Sequence, residues 1–216
     1  MGVDVKMKNR RTMLALAMVA AVLPATGCAP LVIGGAVAGT AMVATDRRTT
    51  GSQFDDQSIE LRLSSAFVEK FPSDRANISV TSYNRRVLLT GEVKDESAKA
   101  EAQALAEKSP NVAAVLNELY VGNLSTLANR NFDTALTAKV IAALATAQDV
   151  PSGTIKVVTS RSVVYLMGLV TPHEGELAAR VASRVAGVHK VVKCFEYLPD
   201  KAPAPAAQPA ATTAPK

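Results

Sequence analysis

Two stretches decide the fold: RVLLTGEVKDES at residues 86–97 and VVYLMGLVTPHE at residues 163–174. Aligned at an offset of 77, they place Gly91 on Gly168 and Val93 on Val170. The same offset sets Asp56 on Asp133, Ile59 on Leu136, Leu63 on Val140, Phe67 on Leu144 and Ile78 on Ile155. At an offset of 76, NVAAV (111–115) matches GVHKV (187–191). A repeat at fixed spacing marks one structural unit used twice. The units span 52–121 and 132–199, joined by a linker at 122–131.

Each unit reads in the same order. DDQSIELRLSSAFVEK carries Ile59, Leu63, Ala66 and Phe67 at helical spacing, with Asp55 or Asp56 as the expected cap. NISVTS and RVLLTGEV are short β-type runs on either side of a Tyr-Asn-Arg turn, which predicts a hairpin. Asp95 then opens a second helix, with Ala100, Ala104 and Leu105 expected to face inward. VAAVLNELYV is the last strand. The order α-β-β-α-β predicts an α+β fold: two tandem domains, each with two helices packed on one face of a three-stranded sheet. Leu61 and Val68, apolar on the outer face of the first helix, are expected to form the contact between domains. One glycine per copy at 91 and 168 signals a turn or bulge, since a phosphate-binding loop needs several.

The N-terminus reads as an address. KMKNRR (6–11) is basic, TMLALAMVAAVL (12–23) is apolar, and small residues lead to Cys28. The apolar run is too short for a bilayer, which takes roughly 20 residues, and the pattern is a bacterial secretion signal over 1–27. Ala25-Thr26-Gly27-Cys28 resembles a lipobox, in which the cysteine thiol carries acyl chains such as palmitate. This is preferred to an ordinary signal cut near Ala25 or Gly27. Stable anchoring takes at least two chains. Ala29 in place of Asp implies sorting to the outer membrane. Residues 28–51 are then the lipidated cysteine and a membrane-proximal Gly/Ala-rich segment. Acylation of Cys28 leaves Cys194, the other of two cysteines, without a disulfide partner, as a structural thiol. The Pro/Ala-rich tail, 200–216, is expected to be disordered.

Several function classes fall away. Of the net charge of +5, +3 sits in residues 1–27, where four cations face Asp4 alone. The remaining Lys and Arg are scattered and aromatics make up only 4%, so no nucleic-acid partner is expected. GxSxG, HExxH and P-loop motifs are absent. The two histidines, His173 and His189, have no sequence-level partners. No enzyme, metal or cofactor is expected.

The α-β-β-α-β order, the strand-end glycines in TGEV and MGLV, and GVHKVV in the last strand resemble BON domains. With the lipobox and ATDRRTTGSQFDD, the chain is similar to dual-BON outer-membrane lipoproteins over roughly residues 14–198. That resemblance implies a non-enzymatic, lipid-anchored protein on the periplasmic face of the outer membrane. It also implies a part in envelope integrity and at the division site. It further implies that the first helix of the second domain, here 132–147, binds anionic phospholipid such as phosphatidylglycerol. On that helix the outer face carries Ala135, Ala138, Ala142 and Ala145, with Ile141 to one side and Lys139 the only cation. The family carries bulky apolar groups at the positions of Ala135 and Ala145. Phe132 and Ile141 are the nearby replacements. The lipid-contacting set is therefore Phe132, Ala135, Lys139, Ile141 and Ala145. The alternative is an adaptor tethered by lipid, with envelope-assembly or amidase-regulating proteins as partners and no specific lipid binding.

Overall fold

The structure is a computed structural model and describes residues 46–199. The expected signal, Cys28, the Gly/Ala-rich run 31–45 and the tail 200–216 lie outside the described residues. In the first domain, helix α1 (Thr50–Lys70) is followed by β1 (Ala76–Tyr83), β2 (Arg86–Val93) and α2 (Glu96–Glu107). Strands β3 (Ala114–Asn117) and β4 (Tyr120–Val121) complete it. The second domain runs α3 (Leu127–Thr146), a 3-10 turn (Ser152–Thr154), β5 (Ile155–Ser160), β6 (Val163–Val170), α4 (Pro172–Ser183) and β7 (Lys190–Tyr197). In each sheet the middle strand, β2 or β6, pairs antiparallel with the strand before it and parallel with the strand or strands after it. The α+β repeat is thus present in both copies.

Both first helices start earlier than the hydrophobic pattern predicts. Thr49 caps α1, its hydroxyl accepting from the Ser52 N–H at 3.1 Å. Thr126 caps α3 in the same way. Neither Asp55 nor Asp56 is a cap, and residues 127–131 of the expected linker are helical. A threonine at the first orphan turn is enough to start a helix whose opening residues face solvent and carry no apolar period. In α2 the buried positions are Ala98, Ala102 and Ala106, while Ala100 and Ala104 are exposed and Leu105 is half-buried. The Asp95 cap, accepting from Ala98 N–H at 2.8 Å, sets this phase. Alanine at every fourth position lets the helix lie close to the sheet. The last strand of the first domain is broken between β3 and β4, where Leu119 turns into the core at 1% exposure.

The helix-facing side of each sheet holds one core. In the first domain Ile59, Leu63 and Phe67 of α1 meet Val87, Leu89 and Val93 of β2. In the second, Val140 and Leu144 meet Val164, Leu166 and Phe195. Each such buried side chain contributes about 1.5–3 kcal/mol. A third cluster lies on the helix-free faces of both sheets: Tyr83 and Leu88 from the first, Tyr165, Met167 and Cys194 from the second. The domains therefore meet sheet to sheet. Leu61 and Val68 do not form the contact; they are 63% and 80% exposed. Polar bonds edge the seam. Tyr83 Oη donates to the Thr154 carbonyl at 3.0 Å, Asn84 Nδ2 to Glu196 at 2.9 Å, and Lys156 Nζ to Glu60 at 2.7 Å.

Gly91 has φ +109°, and a Cβ there would stand 1.9 Å from the Asn77 carbonyl oxygen. A Cβ on Gly168 would stand 2.7 Å from the Thr154 carbonyl oxygen. Both lie inside strands whose pairing register is unbroken, Gly91 opposite Ile78 and Gly168 opposite Ile155, so neither is the expected turn or bulge; each answers a close approach of the neighbouring backbone.

Candidate functional site

The position of α3 is set by a carboxylate inside it. Asp133 is 7% exposed, and its oxygens accept from the Arg161 N–H at 2.8 Å and the Ser162 N–H at 2.9 Å. Those two residues form the β5–β6 hairpin turn with φ of 53° and 62°, a left-handed pair that costs free energy for non-glycine residues. Asp56 does the same in the first domain, accepting from the N–H groups of Asn84 (2.8 Å) and Arg85 (2.7 Å), which are also left-handed. It accepts further bonds from Ser82 Oγ at 2.6 Å and Arg48 Nη1 at 2.8 Å. The offset alignment paired these two aspartates, but only the structure shows that each ties its helix to its hairpin.

The expected lipid-contacting residues are all exposed, Phe132 and Ile141 at 49% each. They do not share one face. Phe132, Ala135 and Lys139 follow at three- and four-residue steps along one flank of α3. Ile141 is nine residues from Phe132, about two and a half turns, and so lies on the opposite flank. There it borders a groove of about 590 Å³ lined by Asn77, Thr90, Thr134 and Thr137. Ala145 belongs to the outer stripe between the flanks. Leu127, 66% exposed, joins that stripe; it sits where a linker was expected, so the apolar pattern of the helix did not include it.

The Phe132 flank has a basic surround. The ring rests on Gly187, whose Cβ would meet Phe132 Cζ at 3.2 Å. The turn there leads into His189 and Lys190, both exposed. Arg161, on the hairpin tied down by Asp133, borders the same hollow as Phe132 and Asn129. Its guanidinium lies 3.9 Å from the Tyr120 ring centroid, a cation–π contact, and its Nη1 pairs at 3.9 Å with the buried Glu92 carboxylate. Sequence reasoning missed Arg161, because only the hairpin geometry brings it to the start of α3.

Elsewhere most buried side-chain polar atoms are occupied; Arg86 Nε, buried without a partner, is the exception among the described residues. In the groove, Glu92 accepts from Asn77 Nδ2 at 3.0 Å and from Ser125 Oγ. The Cys194 thiol is buried and pushed up to about 11 by desolvation, with the Glu118 charge adding to it. A thiol so placed is a poor nucleophile near neutral pH. Among the described residues no group of three His, Cys, Asp or Glu side chains is placed to hold a metal ion. Also among them, no helix is long and apolar enough to cross a membrane.

The BON-domain profile matches residues 55–123 and 132–199, which is both copies of the repeat. The chain belongs to the BON-domain family. It is similar to the outer membrane lipoprotein DolP of Haemophilus influenzae, at 40% identity over 174 residues, covering 80% of this chain and 89% of that protein. It is also similar to a 21 kDa hemolysin of Actinobacillus pleuropneumoniae, at 31% identity over 154 residues, 71% of this chain and 79% of that protein. Osmotically-inducible protein Y of Escherichia coli matches at 30% identity over 144 residues, 65% of this chain and 72% of that protein. These relationships support an outer-membrane lipoprotein built on two BON domains, of a non-enzymatic kind.

Proposed function

We propose that this BON protein is held by acyl chains on Cys28 at the periplasmic face of the outer membrane. Its second domain binds anionic phospholipid of the phosphatidylglycerol type at the start of α3, in support of envelope integrity and at the division site. The observation that carries this reading is Phe132, half-exposed in the second turn of α3 with Arg161 bordering the same hollow. An aromatic ring at the acyl boundary and a cation at headgroup level suit an anionic interface. Ala135 and Lys139 extend the same flank. Ile141 and Ala145 are the less favoured members of the set, because they face other directions.

Vesicle co-sedimentation of the full chain carrying Cys28→Ala tests the lipid reading. Anionic vesicles should bring down more protein than zwitterionic ones, and Phe132→Ser or Arg161→Ala should remove most of the difference. Ile141→Glu should remove less. Equal sedimentation with both vesicle types would defeat the lipid reading. Intact mass of the membrane-extracted protein tests the anchor: acyl mass should be present in the native chain and absent from Cys28→Ala. A second reading is a lipid-tethered adaptor for envelope-assembly or amidase-regulating proteins. The alanines at 135, 138, 142 and 145 favour it, since they give α3 a smooth exposed face with little area to bury in lipid.

A further inference from the structure

Among the described residues, the bulkiest exposed apolar face on a helix belongs to the first domain. Phe54, Leu61 and Val68 are 71%, 63% and 80% exposed and follow one another at steps of seven along α1. Seven residues are close to two turns, so the three align on one stripe opposite the buried Ile59, Leu63 and Phe67. Gln57, Ser58 and Ser65 fill the stripe, and it contains no charge. Glu69, exposed, borders the stripe beside Val68; the other neighbouring charges are engaged on the flanks. Glu60 pairs with Lys156, Arg62 donates to Ser109 Oγ and the Pro110 carbonyl, and Lys70 pairs with Glu101. The matching stripe on α3 is mostly alanine.

We propose that this stripe is a second membrane-contacting surface, one that lies on the acyl-chain side of the interface and works without regard to headgroup charge. The inference rests on the anchored reading above, but not on anionic-lipid binding by α3. Two observations point to a bilayer as the occupant. The first is where the chain comes from. Only 17 residues, 29–45, separate Cys28 from Asp46, a reach of at most roughly 60 Å when fully extended. The chain is then pinned beside the start of α1. Arg47 pairs with Glu174 at 2.7 Å, and Arg48 pairs with Asp46 at 2.7 Å and Asp56 at 2.8 Å. Among the described residues the stripe is thus the exposed apolar helix face nearest in sequence to Cys28, and a tethered surface needs only weak intrinsic affinity to stay engaged. The second is area. Three side chains on one helix offer on the order of 300 Å² of apolar surface, about half of the ~600 Å² that each copy contributes to even a small stable pair.

The chain has no tryptophan, so Phe54→Trp supplies a single reporter at an exposed position where folding is unaffected. The full mature protein is reconstituted through its own anchor into phosphatidylcholine bilayers containing bromine-labelled lipid, with and without phosphatidylglycerol. The reporter should be quenched to a similar extent in both. Adding Leu61→Ser and Val68→Ser should lower the quenching several-fold while the far-UV CD spectrum stays the same. No quenching in either bilayer overturns the proposal, as does quenching that needs phosphatidylglycerol. A blue shift without quenching, together with a concentration-dependent mass, assigns the stripe to a second copy and overturns it too. A separate Phe132→Trp reporter reads the α3 contact, so either reading fails without the other. Failure of the protein to float with bilayers at all defeats the anchor and this inference together.

Discussion

Replacing Asp133 with alanine tests how α3 is held. The carboxylate is 7% exposed and takes two main-chain N–H groups, at 2.8 and 2.9 Å, from a left-handed turn. A hydrogen bond to a charged acceptor contributes about 1.5–3 kcal/mol. The freed N–H groups sit on a turn whose Arg161 is exposed, so water recovers part of the loss. The expected cost is about 2–4 kcal/mol. Asp56→Ala should cost more, about 3–5 kcal/mol, because that carboxylate is 3% exposed and accepts from Ser82 Oγ and Arg48 Nη1 in addition to the two turn N–H groups. In the Asp133→Ala background, Ser162→Gly should return roughly 1 kcal/mol by relieving the left-handed residue. Urea unfolding of the full chain carrying Cys28→Ala, followed by far-UV CD at pH 7, reads all three. A loss below about 1 kcal/mol for Asp133→Ala, or an Asp133 loss larger than the Asp56 loss, would refute the view that these carboxylates hold helix to hairpin.

Three further outcomes are expected. The Arg47 guanidinium holds the Glu174 carboxyl at about 2, down from 4.5. That contribution to stability is complete above pH ~4.5 and is lost as pH falls toward 2; thermal melts between pH 2 and 6 should show the loss, and Arg47→Ala should flatten it. Cys194, buried and with its thiol pushed up to about 11, should resist an aromatic disulfide reagent at pH 8 in the native protein and react fully in urea; fast native reaction would contradict its place in the seam. Leu88→Ala empties a fully buried position between the two sheets. It should cost about 2–5 kcal/mol and loosen the domains from one another, seen as a broadened or split unfolding transition.

The duplication, the order of elements and the family were all legible in the chain, because each rests on local chemistry: apolar period, turn residues and glycines at fixed offsets. The exposure of Phe132, Ala135, Lys139, Ile141 and Ala145 was legible for the same reason, since a helical period separates core from surface. The helix starts were not. Thr49 and Thr126 cap segments with no apolar pattern, and that hid Leu127 and left Phe54 outside the reading of α1.

What the sequence by itself determined, then, is the unit and its repetition. How the two units meet was decided only in three dimensions. RVLLT and VVYLM are apolar on both faces, so one face of each sheet covers its helices while the other is left to bury elsewhere. Leu88, Tyr165 and Met167 supply the seam, and the sheets close on each other where the helices were expected to. That choice leaves the outer stripe of α1 free and brings Arg161 to Phe132 through a hairpin 28 residues downstream of Asp133. Such juxtapositions depend on contacts between residues far apart in the chain, which no local period encodes.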